Sequence, residues 1–117
     1  MIIRLHWPDH RLLPNRRRGK RLFDTTIIAG HREDARLSAL EALGRARPKI
    51  PKDHILVCKI QFHPPDRRRR DLDGMLSACK PFLDGIADAM GIDDHQLNPL
   101  ILERLDPVPN GVVIFEI

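Results

Sequence analysis

Four consecutive arginines, Arg67, Arg68, Arg69 and Arg70, run into Asp71, Leu72 and Asp73, and a second acidic pair, Asp93 and Asp94, follows further on. Guanidinium groups present a planar fork of donors suited to phosphate oxygens. Carboxylates without cysteine partners suit a hard cation such as Mg²⁺, which accepts one or two of them together with waters and substrate phosphate. A phosphate grip beside a cation grip equips a protein for metal-assisted phosphodiester hydrolysis. Asp71 and Asp73 are therefore candidate ligands, with Asp94 or Asp93 as the third donor. Lys80 lies on the same helical edge as Asp73, where an ammonium could stabilise charge on a phosphorane or protonate a leaving oxygen.

Each group also has a plainer use. Asp71 could cap a helix, although a helix start needs one cap and not the two acids of a DxD pair. Lys80 could pair with Asp84 at i+4. An arginine run alone says only that the partner is a polyanion. His63 and His95 flank the acidic pairs, where a surface role is the commoner fate of a lone histidine and a general base the rarer one.

These residues must be positioned by a small number of elements. Residues 1–7 alternate as a strand stopped by Pro8, and residues 8–22 form a basic loop. Residues 25–46 have a helical period, with Gly30 weakening its start so that the regular part begins near His31, and Pro48 and Pro51 ending it. Residues 55–62 alternate on both parities, as a central strand does, and stop at Pro64-Pro65. Leu72, Met75, Leu76, Cys79, Leu83, Ile86, Ala87 and Met90 form an apolar stripe with three-four spacing. Pro81 interrupts that stripe and predicts a kink or a split into two helices; Gly91 predicts the stop. An unbroken helix would carry the chain roughly 27 Å from Asp73 before the second acidic pair, so a shared metal site needs the chain to fold back, or a second subunit. Residues 97–105 and 112–117 read as strands, with Asn110-Gly111 as a hairpin tip between them. The order predicts an α+β domain spanning residues 1–117, with a small mixed β-sheet and two main helices.

Composition narrows the partner. The chain of 117 residues has a net charge of +4 and is 31% charged, a moderate lean toward a polyanion. Residues 1–21 carry Arg4, Arg11, Arg16, Arg17, Arg18, Lys20 and Arg21 against one acid, Asp9, so Arg16, Arg17, Arg18, Lys20 and Arg21 make a second basic patch. Tyrosine is absent and Trp7 is the lone tryptophan, which argues against an aromatic platform for single-stranded bases. Recognition through backbone phosphates and shape is the expectation, with steep salt dependence. Cys58 and Cys79 sit in apolar stretches without paired spacing and read as core residues of a reducing compartment. The opening MIIRLHWP is too short and polar for a signal peptide, and no run is long enough to span a membrane. A cytoplasmic protein is expected.

The stretch PPDRRRRDLDG, followed by KPFLDGIADAMGIDDHQL, resembles the RusA-type Holliday junction resolvases of bacteria, their phages and prophages. The likeness covers most of the chain and is strongest over residues 64–97. It implies a RusA-like fold, a homodimer, Mg²⁺ (with Mn²⁺ able to substitute) and paired nicks across a four-way DNA junction during recombination and repair. It also implies that Asp71, Asp73 and Asp94 are the metal-binding catalytic acids, that Lys80 is the catalytic lysine, and that Arg70 is the basic residue before the DxD. A nuclease for flaps or forks, or a junction-binding protein without activity, are the alternatives. Two departures stand out: Gly74 replaces the family's asparagine, and Lys80 lies about three residues further from the DxD than in shorter members, nearly one helical turn.

Overall fold

The structure, a computed structural model, describes residues 1–13, 21–45 and 47–117, and the backbone alone for 21–24. It is a mixed α/β fold with a few helices and a small open sheet. The order is β1 (Ile2–His6), α1 (Arg21–Leu43), β2 (Leu56–His63), α2 (Leu72–Ala78), α3 (Lys80–Met90), β3 (Leu97–Arg104) and β4 (Val112–Glu116), with short 3-10 turns at His10–Leu12 and Asp94–Gln96. Arg16, Arg17, Arg18 and Lys20 lie outside the described residues, and Arg21 opens α1.

The sheet order is β1-β4-β2-β3. As expected, β2 is central: it alternates buried Cys58, Ile60 and Phe62 with more exposed residues. It pairs antiparallel with β4 and parallel with β3, which makes the sheet mixed. The expected β3–β4 hairpin does not form. Asn110 and Gly111 do make a tight turn, with φ of 66° and 72°, but β2 separates the two strands. The connection is held across the end of β2 instead, where Leu105 N–H donates to Phe62 O and Val108 N–H to Pro64 O, each at 2.9 Å. The strand with alternating apolar residues thereby gains two partners rather than one, and tertiary pairing overrides the local turn signal.

One sheet face is covered. Ile3, Leu5, Val113 and Phe115 join the buried residues of β2 against Ala35, Ala39, Met75, Phe82 and Ile86 of the helices. The other face is open, with Ile2 63% exposed and an ion pair between Lys59 and Glu103 at 2.8 Å.

Helix α1 begins earlier than the period suggests and passes through Gly30 unbroken. The glycine penalty is about 1 kcal/mol, and packing of α1 on α3 outweighs it. Gly44 (φ 67°), its N–H bonded to Leu40 O, ends α1 before either proline is reached. Of the kink or split expected at Pro81, the split is present. Cys79 closes α2 and opens α3, placing Pro81 in the first turn of α3, where its missing N–H costs no helical bond. Gly91 (φ 68°) ends α3, with Ile92 N–H returning to Ala87 O in a Schellman closure. Both cysteines are buried and free; burial pushes the Cys58 thiol up to about 11 and that of Cys79 higher still, so neither is a ready nucleophile. Among the described residues no helix is long and apolar enough to cross a membrane.

Candidate metal and phosphate site

The site is assembled where β2 hands over to α2. After Pro64-Pro65 the chain turns on Asp66, whose carboxylate accepts from Arg68 N–H at 2.9 Å and from Arg70 Nη1 at 2.8 Å. The Arg70 guanidinium, foremost, holds the Asp66 carboxyl below the usual carboxylate range. Arg70 also lies over the Trp7 ring at 5.7 Å, and its side chain is only 13% exposed. It therefore anchors the loop, while Arg67, Arg68 and Arg69 face solvent, Arg68 with 84% of its side chain exposed. Gly111 packs behind this loop: a Cβ there would meet Trp7 Cβ at 2.9 Å and Pro65 Cδ at 3.0 Å.

Asp71 takes the N-cap position of α2, but its side chain makes no capping bond. Among the described residues neither Asp71 nor Asp73 has a hydrogen-bond or ion-pair partner for its carboxylate. The capping alternative is thus unused, and two exposed carboxylates stand uncommitted at one helix start. They line a groove with Leu13, Arg68, Arg69 and Arg70.

The split at Cys79 changes where the chain goes next. Lys80 opens α3, and its ammonium donates to Asp84 at 2.9 Å and to Asp94 as well. Asp94, foremost, raises the Lys80 pKa above the ordinary lysine value, and Lys80 lowers that of Asp94. Asp73, Ser77, Lys80 and Asp94 line one pocket of about 440 Å³, floored by Leu76, Leu83, Leu97 and Leu100. The chain thus folds back far enough for Asp73 and Asp94 to border one pocket. Asp71, Asp73 and Asp94 are not drawn together as a three-ligand cluster; among the described residues that holds only for His6, His31 and Asp34. Asp73 borders both this pocket and the arginine groove; Asp71 borders the groove alone.

The second acidic pair divides. Asp93 N–H donates to Gln96 Oε1 at 3.1 Å, and its carboxylate faces His95 at 3.9 Å on the surface. Gln96, buried, donates from Nε2 to Pro51 O and His54 O. That clamp holds the turn that aims Asp94 at Lys80. Asp88, on the same sequence edge as Asp73 and Lys80, is drawn off by Arg32 of α1 in a two-pronged contact at 2.6 and 2.8 Å. His63 Nδ1 bonds Asp106 O at 2.8 Å, away from the acids.

Sequence reasoning missed a second group. His6, His31 and Asp34 place ligand atoms within 4.8 Å of one another, residue types that suit a transition ion rather than Mg²⁺. His6 Nδ1 meets Trp7 O and its Nε2 meets Asp34, both at 2.9 Å. His31 stacks on Phe82, and its Nε2 accepts from Asp9 N–H at 2.9 Å, a bond that ligation through this nitrogen would displace. His31 and Asp34 share a helix face at i,i+3, but nothing local in the sequence ties His6 to them.

Burial, helped by His6, pushes the His31 pKa below its ordinary value, against Asp34 and Asp9. The unfolded chain therefore takes up the proton first. Stability fully present above about pH 6.5 is lost as pH falls toward the folded pKa. Thermal melting from about pH 7 to about pH 5 is expected to show a falling Tm. The fall should shrink in His31→Gln, whose amide oxygen can still accept from Asp9 N–H. An equal fall in both proteins would remove His31 as its cause.

The fold and site together define a small mixed α/β domain in which Asp73 is set between an arginine groove and a lysine-bearing pocket. No family model matches the chain. It is similar to a protein of Xylella fastidiosa (strain Temecula1 / ATCC 700964) described as an uncharacterized protein, with 38% identity over 108 residues, 86% of this chain and 66% of that protein. The chain thus spans just under two thirds of that relative.

Proposed function

We propose that this chain is a metal-dependent endonuclease that resolves four-way DNA junctions, as its resemblance to the RusA-type resolvases implies. One observation carries the reading: Asp73 stands at the border between the pocket holding Lys80 and Asp94 and the groove lined by the arginines. A phosphodiester gripped by guanidinium groups then lies against carboxylates that have no other partner.

Asp71, Asp73 and Asp94 are the carboxylates that would hold Mg²⁺, with Asp93 one residue outside the pocket; one or two of them plus waters and a phosphate oxygen fit the octahedral preference of that ion. When bound, the ion supplies charge for the phosphate and a lower pKa for an attacking water. The chain's own groups do the rest. Arg67, Arg68 and Arg69 orient the strand, and Arg70 fixes the loop that carries them. Lys80, kept cationic by Asp94 and Asp84, offsets negative charge as it builds on the phosphorane. In a two-fold homodimer, two such sites would meet two strands of a two-fold junction.

The test compares a four-way junction, a flap and a linear duplex, each with Mg²⁺, Mn²⁺ or EDTA. Paired nicks in the junction, present with either ion and absent in EDTA, are the expected result. Faster cutting of the flap would move the reading to a flap or fork nuclease. Junction binding without cutting would make it a silent binding protein.

A further inference from the structure

We infer that Arg104, at the end of the edge strand β3, is a phosphate-contacting residue that extends the arginine grip onto a second strand of the sheet. Parallel pairing is the cause. Because β2 and β3 run in the same direction, with Phe62 opposite Arg104, both strands end on the same side of the sheet. The arginine loop leaves β2 there, and Arg104 meets it.

The contact is specific. Arg104 Nη2 donates to the backbone carbonyl of Arg70, which sets the guanidinium against the loop. A guanidinium has five donors, so this bond leaves several for a ligand. Arg104 is exposed, and among the described residues no carboxylate forms an ion pair with it. A surface pocket is lined by Arg67, Arg68, Arg69, Arg70, Asp71 and Arg104. Asp66 pairs with Arg70 at 2.8 Å and faces Arg68 at 3.7 Å, which still leaves five guanidinium groups against two carboxylates. Such an excess of like charge favours an anion, and the planar forks suit phosphate. Asp71, Arg68, Arg69 and Arg70 line both this pocket and the groove that Asp73 borders, so a phosphate held by Arg104 would lie beside the candidate metal ligands.

This inference rests on the proposed function for its substrate, and the test separates the two. Binding of a labelled four-way junction and of a labelled linear duplex is followed by fluorescence anisotropy in EDTA, across a salt series. The proteins compared are wild type, Arg104→Gln and Arg104→Lys. Glutamine keeps a donor for the Arg70 carbonyl but removes the charge; lysine keeps the charge. Loss of one phosphate contact is expected to make the slope of log affinity against log salt shallower by about 0.9, and to weaken binding about eightfold near 0.1 M salt. The loss should be alike on both DNAs, because a phosphate contact reads no sequence. Arg104→Lys is expected to restore the slope. An Arg104→Gln slope equal to that of wild type overturns the inference, as does a wild type without DNA affinity. Shallower binding by Arg104→Gln in a protein that cuts no junction would leave the contact standing and remove the nuclease reading alone.

Discussion

Asp73→Asn is expected to lower Mg²⁺-dependent cleavage of a four-way junction by roughly a thousandfold, about 4 kcal/mol of transition-state stabilisation. The amide has nearly the shape of the carboxylate but lacks its charge, so an ion held as proposed would lose a ligand while the pocket keeps its walls. Folding should be nearly untouched. The Asp73 carboxylate is exposed and has no partner among the described residues, and surface changes of this kind stay within about 0.5 kcal/mol. Junction binding in EDTA should persist, slightly tighter, because a negative charge beside the phosphate grip has gone. Asp88→Asn is the contrasting substitution. Asp88 shares the sequence edge of Asp73 and Lys80 but is bound to Arg32, so cleavage should keep its wild-type rate. Equal cleavage by wild type and Asp73→Asn would take Asp73 out of the chemistry.

The largest stability effect is expected at Gly85→Ala. Here α3 lies directly on α1: a Cβ on Gly85 would sit 2.1 Å from Arg32 O and 3.0 Å from Ala35 Cβ. A backbone oxygen cannot swing aside as a flexible side chain can, so the helices must separate. Overpacking of this kind costs about 1–3 kcal/mol and sometimes more. Against it stands the better helix propensity of alanine, about 1 kcal/mol. With a clash as close as this the cost lies toward the upper end, and a net loss of about 1–2 kcal/mol is expected, or roughly 5–10 °C in Tm for a domain of this size. Gly30→Ala gives the opposite sign. Nothing lies within 4 Å of a Cβ at Gly30, so only the propensity gain remains, and Tm should rise. Thermal melting of the two variants beside wild type measures both. A Gly85→Ala protein as stable as wild type would mean that the helices do not pack as closely as the structure has them.

Much of the fold was legible because it is local. The alternation over residues 55–62 marked a central strand, the three-four stripe marked α2 and α3, and Pro81 marked their division. Burial of Cys58 and Cys79 followed from their apolar surroundings. The readings that failed depended on competition between distant segments. Gly30 costs α1 only about 1 kcal/mol, so packing on α3 and not the glycine decides whether the helix continues. Asn110-Gly111 signalled a hairpin correctly as a turn and wrongly as a pairing, because turn chemistry does not say which strand lies beyond it.

The candidate site divides in the same way. Asp71, Asp73, Lys80 and the pair Asp93-Asp94 could be named from residue type and spacing, and their chemistry follows from charge and hardness alone. Only the tertiary structure distinguished Asp94, facing Lys80, from Asp93 on the surface; diverted Arg70 to Asp66 and Trp7; gathered His6 to His31 and Asp34; and set Arg104 beside the arginine loop. Side-chain chemistry and short-range periodicity are properties of a few neighbouring residues and can be read along the chain. Strand order and long-range partners depend on which pairing buries the most apolar surface over the whole domain, a comparison that no single segment contains.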